Sequence, residues 1–218
     1  MIFRNKKTRY SIKNWPDIML NQVAFILGNG PSLLDNDLGL LTDCFTIGIN
    51  RIFKVFSPTI LFWQDPEINK TYGKEIERLP SVKVCRDKCD SSASYTNFSL
   101  EHDPYRFHKT PWRLYGRGCS GGIAVQMAVA MGFRAVVLLG CDCSYINGKT
   151  DFYGTNKFHN SLTLERFNKA MLFTSKNIPV PVYNCSINGY WPQMSLKEAI
   201  DQSLPERRSR IETLAILR

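Results

Sequence analysis

The sequence has no long apolar run. No window approaches the ~18 consecutive apolar residues that a membrane-crossing helix needs, so no transmembrane segment is expected. The basic start Met1-Ile2-Phe3-Arg4-Asn5-Lys6-Lys7 is not followed by an apolar stretch, and no signal peptide is expected either. There is no internal repeat and no low-complexity linker, which argues against solenoids and beads-on-a-string arrangements. A regular cysteine framework is also missing. The seven cysteines are odd in number and irregularly spaced, the pattern of reduced thiols in a cytoplasm. Cys85 and Cys89 could open a zinc site, but no second pair follows at matching spacing, and only His102 and His108 lie near.

What is present is an ordinary globular composition, 44% hydrophobic and 22% charged over 218 residues. That length suits one domain with a real core, taken as residues 1–218. The net charge is +9. Such a basic surface suits a phosphate-bearing ligand, an anionic membrane surface or simple solubility. The basic residues gather at 4–13 and 207–210, more like solvated tails or a docking patch than a base-reading groove. No specific nucleic acid is expected. A cytoplasmic protein is expected, with peripheral contact to an anionic inner-membrane surface as an option, and a homo-oligomer is left open.

Apolar runs at 23–27, 45–49, 59–63 and 135–140 have the continuous pattern of strands buried on both faces of a parallel sheet. A weaker strand is read at 82–85 and a short one at 180–184. Helices are expected from Ser32 (as N-cap), over 120–131 with Gly132 as the stop, over 162–175, and over 195–200, where Ser195 and Glu198 form a capping box. Residues 86–117 are polar and aromatic with little periodicity, the signature of a long lid-like loop. Trp112, Tyr115, Tyr105 and Phe107 in it could stack a sugar or base, or pack against one another. Strands alternating with helices predict an α/β, Rossmann-like, mainly parallel doubly wound sheet, with ligands beyond the carboxyl ends of the strands. Polar residues recur at those ends: Asn29, Asn50, Asp65, Asp142 and Asn184.

Gly28-Asn29-Gly30-Pro31-Ser32 follows a strand and precedes an expected helix. Glycines permit close backbone approach, and a helix N-terminus attracts phosphate. The turn lacks both the third glycine of a dinucleotide fingerprint and the Gly-Lys-Ser/Thr of a Walker loop, leaving a single nucleotide or a plain tight turn. Arg117-Gly118-Cys119-Ser120-Gly121-Gly122 is a second glycine-rich helix start, able to hold a phosphate or carboxylate or to pack closely on the sheet. Cys119 has no evident base nearby in sequence, which argues against a nucleophilic hydrolase. Asp65 and Asp142 could hold a ribose or a divalent metal, or simply cap helices. His159, ahead of a helix, could serve as general base or as a cap.

Taken in order, these motifs resemble a known group. They are Ile-Leu-Gly-Asn-Gly-Pro-Ser-Leu (26–33), Gly-Ile-Asn-Arg (48–51), Gln-Asp-Pro (64–66), Cys-Ser-Gly-Gly (119–122), Leu-Leu-Gly-Cys-Asp-Cys-Ser-Tyr-Ile-Asn-Gly-Lys-Thr (138–150) and Tyr-Asn-Cys-Ser (183–186). The series is similar to the MptE-like family, which includes an archaeal 6-hydroxymethylpterin diphosphokinase and the central domain of flagellin-modifying Maf proteins. It also resembles the bacterial sialyltransferases of glycosyltransferase family 42. The second resemblance implies a CMP-linked sugar donor, a glycan or other hydroxyl acceptor, inversion at the anomeric carbon and no cofactor. It implies that Asn29 and Asn50 contact the nucleotide or the donor sugar; Gly28, Gly30, Ser32, Arg51, Asp65, Arg117, Gly121 and Asp142 are the further candidate binding residues from the motifs themselves. Ser120 would meet the donor carboxylate, Tyr145 the leaving phosphate, and His159 would deprotonate the acceptor. The chain departs from that pattern at Asp65-Pro66 (Asn-Pro in the sialyltransferases), at Arg51 (an amide) and at Cys119 (Thr). The MptE-like resemblance implies instead a diphosphokinase with Mg²⁺ on Asp65 and Asp142. A non-catalytic nucleotide-binding module is a third reading.

Overall fold

The computed structural model describes residues 22–89, 95–101, 110–116, 118–156 and 159–203. The expected residues Arg117, His102, His108, Tyr105 and Phe107 lie outside this set, as do the basic clusters at 4–13 and 207–210.

Eight parallel strands form a sheet in the order β6-β5-β4-β3-β2-β1-β7-β8. They are β1 (Val23–Leu27), β2 (Phe45–Ile49), β3 (Ile60–Trp63), β4 (Val82–Arg86), β5 (Thr96–Glu101), β6 (Arg113–Tyr115), β7 (Ala135–Leu139) and β8 (Val182–Asn184). The α-helices are α1 (Pro66–Arg78), α2 (Ser120–Ala130), α3 (Ser161–Asn177) and α4 (Leu196–Ser203). Strands β1, β2, β3 and β7 are buried along their whole length, which is why their sequences are unbroken apolar runs. Alternate side chains enter two separate cores. Ala24 and Ile26 face the layer of α2 and α3, whereas Phe25 and Leu27 face the layer of α1 and α4. The sheet is therefore doubly wound, as the alternation of elements implied.

The strand order reverses between β1 and β7, whose register runs from Val23↔Ala135 to Leu27↔Leu139. In open α/β sheets this reversal opens a crevice at the carboxyl edge. Helix α2 is apolar on all sides because it is wedged between sheet and α3. A Cβ on its Gly122 would stand 2.9 Å from Thr174 Oγ1 of α3, so the small residue sets how closely the two helices pack.

Three expectations are corrected. The stretch 86–117 is not a structureless lid: it contributes β5 and β6 to the sheet edge. These strands are short and half polar, with only alternate residues of β5 buried, so no apolar run announced them. Helix α1 was not anticipated, because only Ile76 of its thirteen residues is buried. No α-helix follows the glycine turn. Pro31–Asp35 is a short 3-10 turn whose N-cap is Gly30, not Ser32.

Candidate functional site

A cavity of about 430 Å³ opens at the carboxyl edge, over the point where the strand order reverses. Its walls are the ends of β1 (Gly28, Asn29, Gly30), β2 (Asn50), β3 (Gln64, Asp65) and β7 (Gly140 to Cys143), the start of α2, and the segment carrying Asp151 and His159. The size is ordinary for a small-molecule site.

The glycine turn is shaped first by the neighbouring strand. A Cβ on Gly28 would stand 2.2 Å from Gly140 O, and one on Gly30 would stand 2.3 Å from Asp142 Oδ2. The backbone N–H groups of Gly28, Gly30 and Ser32 are already committed. Gly28 N–H donates to Leu139 O and Gly30 N–H to Gly140 O, both at 2.7 Å. Ser32 donates from its N–H (3.0 Å) and its hydroxyl to the carboxylate of Asp142. Asp142, 2% exposed, also accepts from Ile187 N–H at 3.3 Å. The turn is thus zipped to β7. Ser32 is buried away from the cavity, and Asp142 stitches three segments together.

The amides at the strand ends divide their roles. Asn29 donates to Ile49 O (2.7 Å) and accepts from Arg51 N–H (3.2 Å), tying β1 to the end of β2. Asn50 has left-handed backbone, with φ of 50°, which asparagine tolerates better than most residues. It lines the cavity, and its Oδ1 is buried with no partner among the described residues. A buried acceptor left unpaired costs about 1–3 kcal/mol, and Asn50 is the lining residue that carries one. Arg51 lies outside the lining; its guanidinium stacks 3.7 Å from the centre of the Tyr153 ring.

Asp65 accepts from Glu67 N–H at 3.0 Å and caps α1, with Pro66 in the first turn. Gln64, which sequence reading passed over, donates from Nε2 to Ser120 Oγ at 2.8 Å across the cavity. Ser120 and Gly121 begin α2, so the helix end that faces the cavity is that of α2. The positive dipole end of the helix suits an anion there.

His159 lines the opposite wall, and its Nδ1 lies 2.9 Å from Asp151 Oδ2. Asp151 is buried and also receives the Thr150 hydroxyl at 2.8 Å. A carboxylate on Nδ1 favours the tautomer with its proton there, leaving Nε2 as acceptor. The imidazole is steadied by an edge contact with Phe167, ring centres 5.3 Å apart. Tyr145 does not line the cavity: it is 49% exposed and its hydroxyl donates to His159 O at 2.9 Å, bracing that backbone. Asp151 went unremarked in the sequence because it sits between two tight turns, eight residues before His159, on no regular face.

No family model matches the chain, and no curated protein matches it. Solved structures do. The monofunctional alpha-2,3-sialyltransferase Cst-I from Campylobacter jejuni is 14% identical, with a TM-score of 0.50 over 79% of this chain and 80% of that one. The sialyltransferase CstII from Campylobacter jejuni, in complex with the substrate analogue CMP-3FNeuAc, is 16% identical, with a TM-score of 0.48 over 87% of both chains. At such identities the likeness is one of fold.

Proposed function

We propose that this protein is a glycosyltransferase of sialyltransferase type, moving a sugar from a CMP-activated donor to a hydroxyl acceptor with inversion and without a metal. One observation carries the reading. An imidazole backed by a buried carboxylate, the start of α2 and Asn50, whose Oδ1 has no partner among the described residues, all border one cavity at the reversal of the strand order. The motif series and the fold shared with Cst-I support the choice of chemistry.

In this mechanism the acceptor oxygen attacks the anomeric carbon while His159 Nε2 takes its proton. Asp151 holds the ring and stabilises the imidazolium that forms. The nucleotide phosphate leaves toward the start of α2, where N–H groups meet its growing charge. Asn50 Oδ1 accepts from the nucleotide or the sugar. The membrane contact of the basic ends remains part of the proposal. Among the described residues no helix is long and apolar enough to cross a membrane.

The diphosphokinase alternative would need Asp65 and Asp142 on Mg²⁺. The residues do not fit it: Asp142 already accepts three donors and Asp65 caps α1.

The test is release of CMP from CMP-N-acetylneuraminic acid with a galactoside acceptor, in EDTA. The wild type turns over, and His159→Ala falls by about 10²–10⁴-fold while CMP affinity changes little. No turnover by the wild type with any donor sinks the reading. Equal loss of turnover and CMP binding in His159→Ala removes the base assignment.

A further inference from the structure

Between β7 and α3 no helix or strand lies among the described residues, yet this loop carries both Asp151 and His159. The bonds that shape the pair are internal to the loop. His159 Nδ1 lies 2.9 Å from Asp151 Oδ2, and the same carboxylate receives the neighbouring Thr150 hydroxyl at 2.8 Å. Asp151 opens a tight turn that closes on itself. Its N–H donates to Gly154 O at 3.0 Å, and Gly154 N–H donates to Asp151 O at 2.9 Å. None of these bonds fixes where the pair stands relative to the sheet.

Residues 152 and 153 do that. Phe152 packs on the core of the α1 and α4 layer, and its N–H donates to Asn29 O at 2.6 Å. A turn tied at one residue can still pivot about it. Tyr153 supplies a second tie. The Arg51 guanidinium lies 3.7 Å from the centre of the Tyr153 ring and 5.4 Å from that of Tyr72 on α1. Arg51 is itself held at the end of β2. Its N–H donates to Asn29 Oδ1 at 3.2 Å, and its carbonyl accepts from Lys54 N–H at 3.0 Å. Its Nε is buried with no hydrogen-bond partner among the described residues, which leaves the aromatic rings to compensate the buried cation. A planar guanidinium stacked on a ring is a stiffer joint than a flexible ammonium stem would make. Asn50 directly precedes Arg51 and lines the cavity. One residue therefore reaches from the strand end that carries Asn50 to the loop that carries the base.

We infer that Arg51 and Tyr153 are positioning residues, whose stack fixes the Asp151 turn, and through it the His159 imidazole, relative to Asn50 across the cavity. Neither residue lines the cavity, so both act through Asp151 and His159. The motif series placed Arg51 with the nucleotide; the stack gives it a different task. A misplacement of about 1 Å at a reacting group costs up to ~10²-fold in rate. The catalytic consequence rests on the transferase reading; the hold on the imidazole does not.

The test reads the imidazole directly by proton NMR of the full chain. A ring N–H held by a carboxylate gives a downfield resonance that exchanges slowly with water, and the one that vanishes in His159→Ala belongs to His159. It is recorded for the wild type, Arg51→Met, Tyr153→Leu and Tyr153→Phe, together with turnover of CMP-N-acetylneuraminic acid and CMP affinity. The resonance should persist in the wild type and in Tyr153→Phe, which keeps the ring, and disappear in Arg51→Met and Tyr153→Leu. In those two kcat should fall about 10–100-fold, with CMP affinity and donor KM within about twofold of the wild type. If Tyr153→Leu fails to fold, as its amide spectrum would show, Arg51→Met decides. A resonance that survives unchanged in Arg51→Met overturns the proposal, as does its absence from the wild type. CMP affinity that falls together with kcat returns Arg51 to the nucleotide and overturns it as well. Tyr153→Phe as impaired as Tyr153→Leu puts the role on the hydroxyl and refutes the stack. If the wild type turns over no donor while the resonance follows this pattern, the transferase reading fails and the positioning stands.

Discussion

Replacing Gly28 by alanine should destabilise the protein by roughly 2–5 kcal/mol. The added Cβ would stand 2.2 Å from Gly140 O, 2.8 Å from Gly140 C and 3.1 Å from Cys141 Sγ. Relief requires β1 and β7 to part by about 1 Å at their carboxyl ends, since carbon contacts relax only near ~3.5 Å. That movement takes the Gly28 N–H bond to Leu139 O and the Gly30 N–H bond to Gly140 O, both 2.7 Å, beyond hydrogen-bonding length. Each lost bond costs about 0.5–1.5 kcal/mol and the overpacking about 1–3 kcal/mol. The stiffer unfolded chain returns about 0.4–1 kcal/mol. Urea unfolding followed by tryptophan fluorescence reads the change, because Trp63 is fully buried. Gly189→Ala is the control, as nothing lies within 4 Å of its added Cβ. A Gly28→Ala protein as stable as that control refutes the reasoning. If it were stable but had lost CMP binding, the glycine would exist for the ligand and not for β7.

Asp142→Ala strands the buried Ser32 donors and frees the Ile187 N–H, and should cost about 2–4 kcal/mol in the same urea assay. Unchanged stability with lost ligand binding would make Asp142 a ligand contact instead. Asp151→Asn keeps the shape but not the charge on His159 Nδ1; kcat should fall about tenfold or more with little change in the donor KM, and equal changes in both would contradict a positioning role. Cys119 is held below the ordinary thiol value of 9.0, so alkylation by iodoacetamide should reach half its limiting rate below pH 9. Rising reactivity only above pH 9 would sink that assignment. Ser195→Ala breaks the capping box at α4 and should cost about 1 kcal/mol, read as a lowered urea midpoint.

Much of the fold was legible because strands buried on both faces must be apolar throughout. The runs at 23–27 and 45–49 reappear unchanged as β1 and β2, and the run at 135–140 reappears as β7 without its final glycine. The capping box at Ser195 and Glu198 was equally readable, being local. Strand β5, next to the edge, and surface helix α1 were not, since each buries too little to leave an apolar run. Asp65-Pro66 is a helix start, the capping role that the sequence leaves open for Asp65. Of the polar strand ends, Asn29, Asn50, Asp65 and Asp142 line the cavity, whereas Asn184 is buried outside its lining. Their partners were beyond reach: Ser32 meets Asp142 across 110 residues, and Gln64 meets Ser120 across 56. Such pairs fix which donors remain free, and only the fold decides them.

Calorimetric titration of CMP in EDTA, into the wild type and Asn50→Gly, tests the account most directly. Glycine keeps the left-handed backbone of φ 50° and removes only the amide whose Oδ1 is buried without a partner. The account predicts one saturable site in the wild type and affinity about tenfold weaker in the variant, the worth of one good hydrogen bond. A wild type that takes up no CMP, or a variant that binds it equally well, would contradict it.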